Sequence, residues 1–103
     1  MAYGLFQGLD NSTQHTLVDF DEGGGNIKCI TICNAHASTE ATLKLYLKDN
    51  TSHPSGEISI LENFKLPAGV TVQINEGVSF NNRQYKLMLA ITEASVDINV
   101  IIK

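Results

Sequence analysis

The chain has 103 residues, of which 43% are hydrophobic, and its formal net charge is −4. A chain of this length forms one domain and can bury a core without disulfide or metal cross-links. No apolar run approaches the roughly 18 residues of a membrane span, and the first residues lack the basic and apolar regions of a signal peptide. We therefore expect a protein without a membrane partner that is made in a reducing cytoplasm and stays there until an assembly step.

The net charge comes from the start of the chain. Residues 1–26 contain four acidic residues and no Lys or Arg, whereas residues 27–103 contain seven acidic and seven basic residues. Binding to nucleic acid requires a basic face, so this distribution argues against a nucleic-acid partner. The acidic segment is either a solvated lead-in or a segment that docks on a basic neighbour.

The segment 1–13 mixes two glycines with several large apolar residues, so it fits neither a helix nor a simple disordered tail. We interpret it as an extended arm, which lies either along the edge of its own sheet or on a neighbouring subunit. The second placement predicts that four residues of the arm contact another chain: Tyr3, Leu5, Phe6 and Leu9.

Segments with the period-two alternation of β-strands follow the arm, with turn residues between them. In one of them the alternation slips near Leu61 and Glu62, which indicates a β-bulge. In another, Tyr46 belongs to the set of residues that faces outward. These strands are predicted at 15–20, 27–34, 40–49, 57–66, 70–75 and 78–80.

The last twenty residues show the clearest alternation. Every second residue is apolar in 85–91 and again in 96–102, and a short turn separates the two runs. We predict a β-hairpin that forms one wall of the core. Met88, Ala90 and Ile101 are apolar residues on its outward face, so we expect this face to be partly covered, by the arm or by a neighbour.

Together, about 7–8 short strands at roughly ten-residue spacing, with no helical pattern, predict an all-β fold. We expect a single small antiparallel β-sandwich that is jelly-roll-like and carries an N-terminal extended arm. Within this one domain, residues 1–26 form the arm and the lead-in strand, and residues 27–103 form the sandwich body.

The two cysteines are predicted to be reduced core residues. Cys29 and Cys33 lie in one predicted strand, where four positions at ~3.3 Å each separate them by about 13 Å. This separation is too large for a disulfide and for two ligands of one tetrahedral metal ion.

The remaining motifs predict no catalytic or metal site. Asp19, Asp21 and Gly24 are similar to the start of a calcium loop, but Ile30 stands where the loop needs a bidentate glutamate. The three histidines have no metal-ligand spacing. Neither a nucleophile elbow nor a phosphate-binding loop occurs in the sequence. We therefore expect no enzyme activity, no cofactor and no bound metal.

Three phrases of the sequence, spanning about residues 27–103, resemble those of a known group of proteins. They are ITICNAHASTEATLKLYL, ILENFKLPAGVTVQINEGVSF and QYKLMLAITEASVDINVIIK. In this order they resemble small β-sandwich virion structural proteins of tailed bacteriophages. In that group a strand closes on Cys-Asn, a strand of alternating leucines follows, and an L-P-A-G phrase precedes a final hairpin. These motifs are turns and core positions, so they specify the fold better than the role.

The resemblance implies an accessory protein of the virion, assembled in the host cytoplasm. Our leading interpretation is a capsid decoration subunit, and a tail, fibre or adaptor component is the alternative. Its expected partners are major capsid or tail proteins and further copies of itself. These partners would bind a sheet face and the arm, through the four arm residues together with Met88 and Ile101.

Two interpretations from other classes stay open. One is a host-glycan-binding module whose site is formed by the loops 50–56 and 81–83 with Tyr46 or Tyr85. The other is a small hydrolase, which requires two carboxylates that converge in a pocket.

Overall fold

A computed structural model describes residues 4–11, 14–19, 26–49, 56–75, 78–81 and 83–103. These residues form ten β-strands and no helix. The strands are β1 (Gly4–Leu9), β2 (His15–Val18), β3 (Asn26–Ile27), β4 (Ile30–Asn34), β5 (Ala41–Asp49), β6 (Glu57–Leu66), β7 (Thr71–Ile74), β8 (Val78–Ser79), β9 (Tyr85–Ile91) and β10 (Ile98–Ile102).

Eight of the strands form two four-stranded antiparallel sheets. Sheet A has the order β1-β10-β4-β7, and sheet B has the order β2-β9-β5-β6. Strands β3 and β8 form a short separate pair. The predicted all-β sandwich is confirmed. The two strands beyond the predicted number are β1, which lies in the segment interpreted as an arm, and β3, which is separate from β4 within the predicted strand 27–34.

The strand order corresponds to a chain folded back on itself once, between β5 and β6. Strand β5 pairs with β6, β4 with β7, β2 with β9, and β1 with β10, all antiparallel. Apart from the short pair of β3 and β8, successive pairs of this doubled ribbon belong alternately to sheet B and sheet A. A doubled ribbon that wraps in this way is a jelly roll.

The predicted hairpin at the end of the chain is wrong. Strand β9 pairs with β2 and β5 in sheet B, whereas β10 pairs with β1 and β4 in sheet A. The segment 92–97 therefore crosses from one sheet to the other. Alternation determines which face of a sheet a side chain takes, but not which strand lies beside it. A hairpin and a crossing between two sheets consequently have the same pattern.

One hydrophobic core fills the space between the two sheets. Sheet A contributes mainly β-branched residues and sheet B mainly leucines. Each of the nine residues at the centre of the core is at most 1% exposed. Full burial of a side chain of this size contributes about 1.5–3 kcal/mol. The central members are Ile30, Ile32, Ile98, Val100 and Ile102 in sheet A, and Leu43, Leu45, Leu87 and Leu89 in sheet B.

Strand β6 contains the predicted bulge. Its pairing with β5 changes register twice, between Leu43 and Leu45 and again between Leu45 and Tyr46. Asn63, next to the predicted slip, has a positive φ of 50°. Each shift adds an unpaired residue to β6 and bends this edge of sheet B.

Asn34, at the end of β4, is a fully buried polar residue inside the sandwich. Its side-chain amide donates to the carbonyl oxygens of Thr39 at 2.9 Å and of Leu66 at 3.0 Å. Its side-chain oxygen accepts a hydrogen bond from the backbone N–H of His36 at 3.1 Å. Because β4 belongs to sheet A and Leu66 to sheet B, this side chain links the two sheets, and its hydrogen bonds offset the cost of burying it.

Glu93 holds the segment that crosses between the sheets. Its carboxylate accepts hydrogen bonds from the backbone N–H of Thr42 at 2.6 Å and from the Thr42 hydroxyl at 2.9 Å. Burial acts to raise the pKa of Glu93, but the hydrogen bonds from Thr42 and the charge of Lys65 outweigh it. The pKa of Glu93 is therefore lowered from its ordinary value.

We predict that Asn34→Leu lowers the free energy of unfolding by about 3 kcal/mol, because it leaves the buried partners of the amide without hydrogen bonds. Urea denaturation followed by circular dichroism measures this loss. The matched control, Asn75→Leu, changes an exposed asparagine and should alter stability by less than about 0.5 kcal/mol. Equal losses in the two variants would contradict the role assigned to Asn34.

We predict that Glu93→Gln destabilises the protein at pH 7 and that the difference from the wild type shrinks in acid. A carboxylate whose pKa is lowered by folding contributes stability above its unfolded pKa, about 4.3 for glutamate, and loses it as the pH falls through the folded value. Thermal unfolding between pH 2.5 and 7 measures the difference. Glu40→Gln, on an exposed residue, is the control, and a gap for Glu93→Gln that stays constant with pH would contradict the prediction.

Candidate functional site

The two sheets differ in charge. The four strands of sheet A contain no Asp, Glu, Lys or Arg. The strands of sheet B contain charged residues of both signs, namely Lys44, Lys48, Asp49, Glu57, Glu62, Lys65 and Lys86. Charged groups on the sheets of the sandwich are therefore confined to one side.

Within its four strands, the outer face of sheet A carries no charged side chain, and the carboxylate of Asp97 lies beside it, near Gly8 of β1. The side chains of this face alternate with the buried ones of the same strands, so they point away from the core. Cross-strand pairing arranges them in rows. One row runs Leu5, Ile101, Thr31 and Gln73, and the next runs Asn99, Cys33 and Thr71.

Two large exposed apolar side chains are neighbours on sheet A. Leu5 is 79% exposed and Ile101 is 40% exposed, and they are direct cross-strand neighbours. Val70, just before β7, is also exposed and its carbonyl oxygen accepts a hydrogen bond from the Asn34 N–H. Among the described residues one more large exposed hydrophobic residue, Ile58, lies on sheet B. Neighbouring exposed apolar residues on an uncharged face are typical of a contact surface.

Hydrogen bonds connect the polar side chains of this face. The Gln73 amide donates to the Cys29 sulfur at 3.2 Å and to the Thr31 hydroxyl at 3.3 Å. The Cys29 thiol donates to Asn75 Oδ1 at 3.5 Å. Side chains that are already held in place lose less conformational entropy when a partner covers them, which favours binding.

The structure places the arm residues on different surfaces. Leu5 lies on the outer face of sheet A, whereas Phe6 and Leu9 are partly buried against the core. Strand β1, which carries all three, is paired with β10 of the same chain. Strand β1 therefore lies along the edge of its own sheet, which is one of the two placements predicted for the arm. Tyr3 is outside the described residues, and contact of the arm with another chain stays a prediction.

The apolar residues on the outward face of the last two strands also separate, because these strands belong to different sheets. Ile101 lies beside Leu5 on sheet A. Met88, on sheet B, is only 5% exposed, and its sulfur accepts a hydrogen bond from the Thr16 hydroxyl at 3.2 Å. The neighbouring strand β2 of the same chain therefore contacts Met88.

Tyr46 lies on the outward face, as predicted, but it is not open to solvent. Its side chain is 1% exposed, its hydroxyl donates to Gln14 Oε1 at 2.7 Å, and the Lys44 ammonium lies 4.9 Å from the ring centre. Burial raises the pKa of the Tyr46 hydroxyl. The ring points away from the core but is covered, so it offers no stacking platform for a sugar. Tyr85 is likewise partly buried against the core.

Both cysteines are free, as predicted, but their predicted place in the core is wrong. Cys29 and Cys33 are half-buried. They lie on the same outward side of the chain as Thr31, because the inward positions of this segment belong to Ile30 and Ile32. Within the described part of the chain, no cluster of three or more His, Cys, Asp or Glu side chains could hold a metal ion.

No protein-family model matches this chain, and a comparison with curated proteins found no significant match either. In the described ranges there is no helix long and apolar enough to cross a membrane. The candidate site is the outer face of sheet A, where the exposed side chains of Leu5 and Ile101 are cross-strand neighbours.

We predict that alanine substitutions distinguish the covered residue from the exposed one. Met88→Ala should lower the free energy of unfolding by about 2–3 kcal/mol, because it empties a packed site. Ile101→Ala should cost less than about 1 kcal/mol, because Ile101 is partly exposed. Urea denaturation of both variants makes the comparison, and similar losses would show that Ile101 is buried by another part of the chain.

Proposed function

We propose that this protein is a structural subunit of a bacteriophage virion, a capsid decoration protein that binds the particle through the outer face of sheet A. The observation that carries this proposal is the distribution of charge between the sheets. The resemblance of residues 27–103 to small virion β-sandwich proteins supports the class of particle, and the exposed pair Leu5 and Ile101 supports the choice of surface.

The absence of charge from the strands of sheet A suits a surface that is buried on assembly. Burying an unpaired charge costs several kcal/mol, and the centres of protein interfaces are depleted of charged residues. Threonine and glutamine side chains, in contrast, can exchange their hydrogen bonds with a partner. In this proposal sheet A faces the particle and sheet B faces water, where the ion pair of Lys44 and Glu57, at 2.8 Å, stays solvated.

The size of the face indicates how it would bind. Four strands at about 4.8 Å spacing and about five residues at ~3.3 Å give a face roughly 15 Å on each side. A face of this size is smaller than a standard protein interface, so one copy should bind weakly. A regular lattice compensates for weak contacts by offering many equivalent sites to linked copies.

We predict that Ile101→Lys weakens binding to particles at least about tenfold, because a lysine would be desolvated at the centre of the contact. The full chain is incubated with particles assembled without it, and co-sedimentation measures the bound fraction. The matched control is Ile58→Lys, which places the same charge on an exposed isoleucine of sheet B and should leave binding unchanged. Thermal unfolding verifies that both variants are folded.

The outcomes separate the possible roles. Binding to heads supports decoration, whereas binding only to tails or fibres moves the proposed role to a tail, fibre or adaptor component. Loss of binding in Ile58→Lys but not in Ile101→Lys would show that sheet B is the docking face. If the wild-type chain binds no part of the particle, the proposed virion function is wrong.

A further inference from the structure

The two sheets have four edge strands, and three of them carry features that prevent pairing with another chain. The edges are β1 and β7 in sheet A, and β2 and β6 in sheet B. Charges and bulges are the usual means of protecting an edge. Strands β1 and β2 each contain a register shift, and β6 contains two shifts together with charged side chains.

Strand β7 carries none of these features. It pairs with β4 over four residues without a register shift, and it contains no charged residue and no proline. Val72 and Ile74 of β7 are half-buried, whereas their partners in β4, Ile32 and Ile30, are fully buried. The inner side of β7 is therefore still partly open to solvent at the edge of the sandwich.

The backbone of β7 presents hydrogen-bonding groups at this edge. The carbonyl oxygen of Val70 accepts a hydrogen bond from the Asn34 N–H at 3.0 Å. In an antiparallel ladder, the backbone groups of alternate residues point to the same side. Those of Val72 and Ile74 consequently point to β4, and those of Thr71, Gln73 and Asn75 point outward, away from the sheet.

We propose that β7 pairs with the β7 strand of a second copy of this chain, antiparallel and about a twofold axis at Gln73. This register places Gln73 opposite Gln73, Thr71 opposite Asn75, and Val72 opposite Ile74 of the other copy. It keeps the core-facing side chains of both copies on the same side of the joined sheet, which a shift by one residue would not. It forms about six backbone hydrogen bonds.

A second copy fits this edge because the register is self-complementary. Each pair in it joins residues of the same kind, apolar with apolar and neutral polar with neutral polar, and such a match is the condition for a twofold interface. The charge distribution agrees. Strand β1, which leads into Asp10, is at the opposite edge of sheet A, three strand spacings or about 14 Å from β7. Pairing through β7 therefore keeps the Asp10 residues of the two copies near the two outer edges of the joined sheet.

The pairing would join two copies of sheet A into one sheet of eight strands. The uncharged outer faces of the two copies would then form one surface of twice the width. Self-association does not depend on the proposed function, however, and it can be measured without any particle.

The test is sedimentation equilibrium of the full chain from about 10 µM to 1 mM, a range suited to an interface at the small end of the known sizes. We expect an equilibrium between monomer and dimer. Gln73→Pro removes an outward-facing N–H without breaking the ladder to β4, so it should raise the dissociation constant at least about tenfold.

The matched control is Gln7→Pro in β1. The N–H and carbonyl of Lys103 exchange hydrogen bonds with Cys29. The backbone groups of Lys103 therefore point to β4. By alternation along β10, those of Val100 point to β1, and those of its partner Phe6 point back to β10. The N–H of Gln7, the next residue, consequently points away from β10, at the edge of sheet A opposite to β7. This variant should dimerise like the wild type.

Hydrogen exchange of the wild-type protein keeps the test valid if the proline variant does not fold. At high protein concentration the amides of Thr71 and Gln73 should exchange at least about tenfold more slowly than at low concentration, while those of Val72 and Ile74 stay unchanged. Three results would each overturn the proposal: a wild-type chain that stays monomeric or grows beyond a dimer, a dimer lost in Gln7→Pro but kept in Gln73→Pro, or a dimer that leaves the exchange of Thr71 and Gln73 unaltered.

Discussion

The architecture depends on one constraint, the pairing of the chain with itself across a single reversal between β5 and β6. Because successive pairs of the doubled ribbon belong to opposite sheets, each strand needs an apolar inner face that meets the other sheet. The alternation supplies this face in nearly every strand, and one core results. The few polar contacts inside the sandwich, above all those of Asn34, lie where the ribbon passes from one sheet to the other.

Much of this fold could be predicted from the sequence, because period-two alternation is a local property. The positions of eight of the ten strands, the all-β class and the bulge of β6 all follow from it, whereas β1 and β3 do not. The neighbour of each strand does not, which is why the crossing at 92–97 has the pattern of a hairpin. Tyr46 and the two cysteines show a related limit. Alternation assigns them to a face, but only the residues packed around them decide whether that face is covered.

The candidate surface is visible in the sequence only once the sheet of each strand is known. The uncharged strands β1, β4, β7 and β10 are scattered along the chain, and each has charged neighbours in sequence, so no window of residues reveals them. Pairing brings these four together and leaves the charged strands in the other sheet. Leu5 and Ile101, almost a whole chain apart, become direct neighbours by the same pairing.

The place of β10 has a consequence for how the protein is made. This strand lies between β1 and β4, in the interior of sheet A, yet it leaves the ribosome after the other nine. Until then β1 cannot join the pair of β4 and β7, and sheet A has a gap between β1 and β4 where β10 will lie. Contacts between such distant parts of a chain form slowly. During that time a strand from another molecule can pair in the gap between β1 and β4. Proper folding of this protein therefore requires that no other strand pairs in this gap before β10 has been synthesised.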